Sequence, residues 1–213
     1  MIHSLRPIAR HATVPLIAVL ILTGCGQRPV AVVGKPEPDP ETALADPQAP
    51  FTLIDQQGEP FSSEQLAGKV WLAAIFFANC PGPCFRENQA IAQILREIPD
   101  QDFMVISLTC DPANDTPDVL RRYADRFDAD KDRWRFLTGD LKEITRIGTQ
   151  RFKLPVELGV HAEKGVVFDR KGTLRGGFSL TDPDRAKLLT TLIREVLDEG
   201  PVDAPAGGTG EGR

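Results

Sequence analysis

Two cysteines separated by three residues are the strongest chemical signal in this chain. Cys80 and Cys84 bound the segment CPGPC, which follows a nearly continuous apolar run, Lys69–Ala78. Ligands in open α/β sheets bind where strands end, so a site is expected after this run. Pro83 suits the first turn of a following helix, whose positive end would lower the pKa of the Cys84 thiol. The thiolate is the form that both metal binding and disulfide exchange require.

The cysteine pair has several interpretations. A structural disulfide is disfavoured, because cysteines this close in sequence close a loop too short to stabilise the fold much. Thiol–disulfide oxidoreductases commonly place two residues between their cysteines. Here three intervene, and this spacing suits two sulfurs that hold one metal ion as well as two that close on each other. A thiol peroxidase is the weakest interpretation, because neither cysteine of the pair belongs to an evident peroxide-activating Thr/Ser-x-x-Cys and arginine set.

His161 is the third candidate ligand, and it is the one histidine that lies outside the predicted leader peptide. A lone histidine is more often incidental than a ligand, and its position does not decide the question. With two thiolates, an imidazole would complete a soft, low-coordinate set that suits copper. Zinc normally takes four ligands, and only three candidates can be named here.

The N-terminus predicts export and lipidation. Arg6 and Arg10 precede an uncharged apolar run, Val14–Leu22, which is typical of a secretory signal and too short to span a bilayer. The run ends in LTGC, a sequence similar to the lipobox of bacterial lipoproteins. We therefore expect residues 1–24 to be a signal peptide and Cys25 to be lipidated, which would hold the protein on the periplasmic side of a bacterial membrane. An ordinary signal peptide with an unmodified Cys25 is the alternative.

The rest of the chain predicts one domain between two unstructured ends. Residues 25–50 carry Cys25 and a Pro-rich tether, and residues 200–213 form a Gly-rich tail that is expected to be disordered. A single domain is assigned to residues 51–199. Removal of residues 1–24 leaves 23 basic and 30 acidic residues, a net charge of −7. This balance gives no basic surface that would attract nucleic acid.

Strands and helices alternate within the domain. Lys69–Ala78 and Phe103–Leu108 are apolar runs typical of strands buried on both faces. Trp134–Leu137 predicts a short strand, and Gly165–Phe178 predicts a hairpin. The predicted helices comprise one with Ile91, Ile94, Leu95 and Ile98 on one face, one that begins at Thr116-Pro117 and buries Leu120, Tyr123 and Phe127, one over Leu141–Phe152, and one that begins at Asp182-Pro183 and buries Leu189, Leu192, Ile193 and Val196. The order β-α-β-α-β-α-β-β-α predicts an α/β fold with a mixed sheet flanked by helices, in which the first two buried strands are parallel.

Five further residues receive structural interpretations. Asp111 and Asp115 are assigned to a turn followed by a helix cap, and Trp71 and Trp134 to the core. Cys110 follows the strand Phe103–Leu108 and should lie beside the strand that delivers Cys80. Inert packing is the favoured role of Cys110, and a third sulfur for the site is the alternative.

The stretch from Phe51 to about Leu197 resembles the Sco/SenC family of copper chaperones. The matching segments are FFANCPGPC at 76–84, DPANDTPDVLRRYADRF at 111–127, WRFLTG at 134–139, and a histidine ahead of VVFDRKG at 166–172. The resemblance implies a thioredoxin-like fold. It also implies that Cys80, Cys84 and His161 are the copper ligands.

The same resemblance implies a metallochaperone that holds Cu(I), with Cu(II) as a second state. Such a protein would deliver copper to, or reduce the thiols of, the binuclear copper centre of cytochrome c oxidase. Its partner would be the copper-bearing oxidase subunit or another copper protein. The rival interpretation is an extracytoplasmic thiol–disulfide oxidoreductase in which Cys80 and Cys84 are the redox-active pair. His161 discriminates between the two, because copper binding needs it and simple thiol exchange does not.

Two positions depart from the family pattern. Val160 stands where the family usually has aspartate before the histidine, so a carboxylate that could orient the imidazole is either missing or supplied by Glu163. Cys110 stands where a small or branched apolar residue usually precedes the Asp-Pro pair.

Overall fold

The computed structural model describes residues 49–158 and 162–200 of the 213-residue chain. The described residues belong to one compact unit, Asp39–Arg213. The predicted signal peptide, Cys25, His161 and nearly all of the predicted tether and tail lie outside the described residues. Within residues 49–158 and 162–200, no helix is long and apolar enough to cross a membrane.

A five-stranded mixed sheet forms the centre of the fold. The described residues contain seven strands, of which five belong to this sheet. They are β1 (Thr52–Ile54), β2 (Pro60–Ser62), β3 (Val70–Phe76), β4 (Phe103–Thr109), β5 (Trp134–Leu137), β6 (Lys164–Phe168) and β7 (Leu174–Ser179). The sheet has the order β5-β4-β3-β6-β7, and β1 and β2 form a separate antiparallel pair. β3 is parallel to β4 and β4 to β5, whereas β6 is antiparallel to both β3 and β7. The predicted parallel pairing of the first two buried strands is confirmed.

Four α-helices flank the sheet in the described part of the chain. They are α1 (Cys84–Glu97), α2 (Pro117–Asp125), α3 (Leu141–Arg146) and α4 (Pro183–Asp198). The Thr116 side chain accepts from the Val119 amide and Asp182 accepts from two amides of the first turn of α4, so the predicted helix starts are confirmed. Proline follows each cap, where its missing N–H has no intrahelical acceptor in any case.

Strand β3 separates the two hydrophobic cores, because all seven of its residues are buried and alternate residues face opposite sides. In one core, the even-numbered residues of β3 pack against the helices α1, α2 and α4. The other packs Trp71, Ala73 and Ile75 against the residues around β1, α3 and Phe152. Trp71 and Trp134 are completely buried, as predicted. The mixed sheet with helices on both faces confirms the expected thioredoxin-like α/β fold.

Two features differ from the sequence prediction. The pair β1 and β2 and the short 3₁₀ helix Ser63–Leu66 were not predicted. The helix expected over Leu141–Phe152 is α-helical only to Arg146 and continues as one wider π turn, in which the Phe152 amide donates to the Ile147 carbonyl. Gly148 lies in this turn, where a Cβ would stand 2.1 Å from the Val156 side chain. Close packing of the turn against the following loop therefore accompanies the change in helix type, and Phe152 is fully buried there.

Three chain segments meet at one edge of the sheet. The parallel strands β3 and β4 both end there, with Phe76 opposite Thr109. Strand β6 runs the other way, with Val166 opposite Ala73, so the chain enters β6 at that same edge. The segments that follow β3 and β4 and the segment that precedes β6 are thus brought together.

Candidate functional site

The CPGPC segment connects β3 to α1 at this edge. Cys80 is held by its amide, which donates to the Phe77 carbonyl, and its sulfur accepts from the Gly82 amide at 3.4 Å. Cys84 is the first residue of α1 and is only 2% exposed, whereas Cys80 is partly exposed. The two side chains are hydrogen-bonded to each other. The predicted pair is therefore a contacting dithiol with one accessible and one buried sulfur.

The buried thiol does not have the lowered pKa that its place at a helix start predicts. Burial raises the pKa of Cys84 far above its ordinary value, and the hydrogen bond to Cys80 and the charge of Glu87 raise it further. A backbone hydrogen bond from Phe77 opposes this without reversing it. A helix terminus is worth about 0.3–1 kcal/mol at an ordinary site, and removal of a thiolate from water costs more. Cys84 is consequently a protonated thiol at neutral pH, and metal binding or oxidation must displace its proton.

Cys110 lies at the same edge, as predicted. Its amide donates to the Phe76 carbonyl at 2.8 Å, which places it beside the end of β3. Burial raises the pKa of Cys110 to about 11, and Asp115, Asp111 and Cys80 add smaller effects of the same sign. The Cys110 side chain packs in the core that contains Trp71, on the opposite face of the sheet from Cys84. This packing favours the inert role over a third sulfur.

Asp115 has a different role from the predicted helix cap, because Thr116 caps α2 instead. The Asp115 carboxylate is buried and accepts from the Thr109 hydroxyl at 2.5 Å and from the Ala78 amide at 3.1 Å. It therefore ties the end of β4 to the loop that carries Cys80. Burial raises its pKa, while these two hydrogen bonds act in the opposite direction. Asp111 does lie in the predicted turn, where its carboxylate accepts from the Asn114 amide group.

Two polar residues of α1 were not singled out by the sequence. Asn88 donates to the Cys84 carbonyl at 2.8 Å and to the Tyr123 hydroxyl at 3.1 Å, which ties the first turn of α1 to α2. Glu87 is 3% exposed, and its Oε1 has no hydrogen-bond partner among the described residues. Burial raises the pKa of Glu87 to about 7, and the charge of Glu163 raises it too. Only the packing of α1 reveals the burial of Glu87, since an acidic residue in a first helical turn is ordinary.

The segment that contains His161 enters β6 at the edge that bears the cysteines. His161 itself lies outside the described residues, so its distance from the dithiol remains a prediction. Glu163, two residues later, has a left-handed backbone (φ 45°), and its carboxylate accepts from the Thr181 hydroxyl at 2.7 Å. The orientation of the imidazole by Glu163 stays a prediction.

The donor set fits a soft metal ion. Within residues 49–158 and 162–200, no three His, Cys, Asp or Glu side chains are grouped to hold a metal. The two contacting thiols supply two soft donors. Sulfur donors in low number match Cu(I) better than zinc, which normally takes four ligands.

Comparison with known proteins identifies the family of this chain. The SCO1/SenC family model matches residues 39–192. The SCO1 protein homolog of Bacillus subtilis strain 168 is 34% identical over 111 residues, which cover 51% of this chain and 58% of that protein. This chain spans about half the length of the curated relatives it matches.

Solved structures of Sco proteins superpose on this chain. A SCO1/SenC family lipoprotein from Bacillus anthracis str. Ames superposes with a TM-score of 0.65 at 24% identity, over 70% of this chain and 94% of that one. BsSco, a member of the Sco family of cytochrome c oxidase assembly proteins with a disulfide switch, gives 0.62 at 25% identity over 70% and 91%. Yeast Sco1 with copper bound gives 0.58 at 25% identity over 75% and 95%.

The fold and the dithiol define a thioredoxin-like protein with a C-x₃-C pair at the junction of a buried strand and a helix. The chain belongs to the SCO1/SenC family.

Proposed function

We propose that this protein is a copper metallochaperone that binds Cu(I) through Cys80, Cys84 and His161. The observation that carries the proposal is the contacting dithiol at the end of β3, at the edge where the chain that contains His161 enters β6. Two thiolates and one imidazole form a low-coordinate soft site, from which copper can pass to a stronger site. Cu(II) is a second state that the imidazole could support. The copper-bound yeast relative adds support.

The proposed partner is the copper-bearing subunit of cytochrome c oxidase or another copper protein. The protein would deliver copper to the binuclear centre or reduce the thiols that receive it. Support comes from BsSco, which is described as a cytochrome c oxidase assembly protein. The LTGC sequence supports a location on the periplasmic side of a bacterial membrane, with lipidated Cys25 as the anchor and residues 26–50 as the tether.

Cu(I) titration of the reduced protein tests the ligand set. The wild type should bind one copper, and Cys80→Ala, Cys84→Ala and His161→Ala should each weaken binding at least about 100-fold, because two remaining donors under-coordinate the ion. Lys164→Ala is the matched control, since Lys164 is exposed and lies three residues from His161. If His161→Ala binds Cu(I) as tightly as Lys164→Ala, His161 is not a copper ligand. The metallochaperone proposal would then lose its main distinction from a redox protein.

A thiol–disulfide oxidoreductase is the second candidate function. The favouring observation is the asymmetry of the pair, in which Cys80 is partly exposed and Cys84 is buried. An accessible Cys80 would attack a partner disulfide, and Cys84 would then resolve the mixed disulfide. Two results together would favour this candidate. Disulfide exchange would persist in His161→Ala, and neither the wild type nor any variant would bind copper.

A further inference from the structure

A cavity of about 220 Å³ opens directly beside the dithiol loop. Its walls are Ala78, Asn79, Val119, Arg122, Tyr123 and Arg126. Ala78 and Asn79 are the two residues before Cys80. Burial raises the pKa of Tyr123, and the nearby Cys84 and Cys80 raise it further. A group bound in this cavity would therefore sit next to the sulfurs.

Two arginines make the cavity positively charged. Arg122 and Arg126 are exposed and lie one turn apart on α2 and just beyond its end, and neither forms a salt bridge with a described residue. None of the six lining residues is acidic. The neighbouring Arg121 differs, because its guanidinium pairs with Asp118 at 2.7 Å. The positive charge that lacks a carboxylate partner is thus concentrated on the side of α2 that faces the cavity.

One of these guanidinium groups is held in place. The Arg126 guanidinium carbon lies 4.9 Å from the centre of the Phe85 ring and 5.6 Å from that of Tyr123. Phe85 directly follows Cys84, so this stacking fixes a positive group relative to the dithiol. Guanidinium groups present planar donor pairs that suit carboxylates. The chain as a whole has a net charge of −5, so the basic cavity is a local exception.

We propose that this cavity is the docking site for an acidic segment of the protein partner, which carries carboxylates next to its own cysteines. The inference rests on the proposed function, because it places the partner's thiols beside Cys80 during transfer. The cavity accommodates side chains but not a folded domain, so the partner contributes a few carboxylates from its surface. Local attraction would then offset the net negative charge of this protein and align the two sulfur sites.

Disulfide exchange with charged peptides tests the docking site. The probes are three synthetic peptides of equal length, each closed by one disulfide and flanked by glutamates, lysines or serines. A thiolate of the reduced protein attacks the peptide disulfide and displaces one peptide sulfur; the second cysteine then closes the Cys80–Cys84 disulfide. The protein thereby gives two electrons and two protons to the peptide. Stopped-flow rates at low ionic strength and at roughly 0.5 M salt measure the effect of charge.

We expect the glutamate peptide to react roughly tenfold faster than the lysine peptide at low salt, and this advantage to disappear at high salt. Arg122→Gln and Arg126→Gln should each remove much of the advantage, whereas Arg126→Lys should keep most of it. Arg121→Gln is the matched control, because it removes one charge from the same helix outside the cavity. The serine peptide should react equally with all variants.

Equal or faster reaction of the lysine peptide would overturn the docking proposal, because the net negative charge of the protein alone favours that order. The proposed function would survive this result if the protein still bound Cu(I) and reduced the serine peptide. A protein that binds no Cu(I) and reduces none of the three peptides would overturn both proposals.

Discussion

The substitution Asp115→Ala should destabilise the protein by removing the carboxylate that joins two loops at the site edge. In the wild type this carboxylate is 1% exposed and accepts from the Thr109 hydroxyl and the Ala78 amide. Each buried donor left without a partner costs about 1–3 kcal/mol. Burial raises the pKa of Asp115, so the variant also recovers part of the cost of holding a charge away from water. We expect a net loss of about 2–4 kcal/mol in the free energy of unfolding.

Urea unfolding of the reduced protein at pH 7 measures this loss. With a slope of about 2 kcal/mol per molar urea, the midpoint should fall by about 1–2 M. Asp111→Ala is the matched control, because the Asp111 carboxylate accepts only from the exposed Asn114 side chain among described side chains, and its loss should cost less than about 1 kcal/mol. Asp115→Asn keeps one acceptor oxygen and should lie between the two. Equal midpoints for Asp115→Ala and Asp111→Ala would refute the role assigned to the buried carboxylate.

Three further predictions follow from the site. Burial raises the pKa of Glu87 from 4.5 to about 7, so the folded protein keeps a proton that the unfolded chain loses in this range. Stability should therefore fall by about 3 kcal/mol as the pH rises from 4.5 to above 7, and Glu87→Gln should abolish this fall in urea unfolding; identical pH dependence in both proteins would contradict it. Cys84 is protonated at neutral pH, so Cu(I) must displace its proton. The logarithm of the Cu(I) association constant should therefore rise by about one per pH unit between pH 6 and 8 from this thiol alone. Competition with a chelator of known protonation measures the constant, and a pH-independent value would contradict this prediction. After mild oxidation of Cys84→Ala, mass mapping should find no Cys80–Cys110 disulfide, because Cys110 packs in the core on the other face of the sheet; its detection would give Cys110 a redox role.

Long apolar runs and helical spacing made most of the fold predictable. The run Lys69–Ala78 is typical of a strand buried on both faces, and Thr116-Pro117 is a strong helix start. The three-residue strands of the β1–β2 pair are too short to leave such a pattern. The π turn after Arg146 depends on how closely Gly148 packs against Val156, which local sequence does not encode.

The dithiol was predictable from spacing, but its electrostatics were not. The sequence places Cys84 at a helix start, yet its pKa depends on the side chains that bury it, and these come from distant parts of the chain. Asp115 likewise contacts Ala78, which is 37 residues away, so its role as a tie between loops appears only in three dimensions. The role of His161 came from the family resemblance and remains a prediction.

X-ray absorption of the Cu(I)-loaded protein tests the proposed ligand set most directly. We expect two sulfur scatterers and one nitrogen scatterer around each copper, with the nitrogen absent from His161→Ala and both sulfurs retained. Cys110→Ser should leave the spectrum unchanged, because the Cys110 thiol lies in the opposite core from Cys84. A wild-type site with three sulfurs and no nitrogen, or a nitrogen that persists in His161→Ala, would contradict the assignment of Cys80, Cys84 and His161.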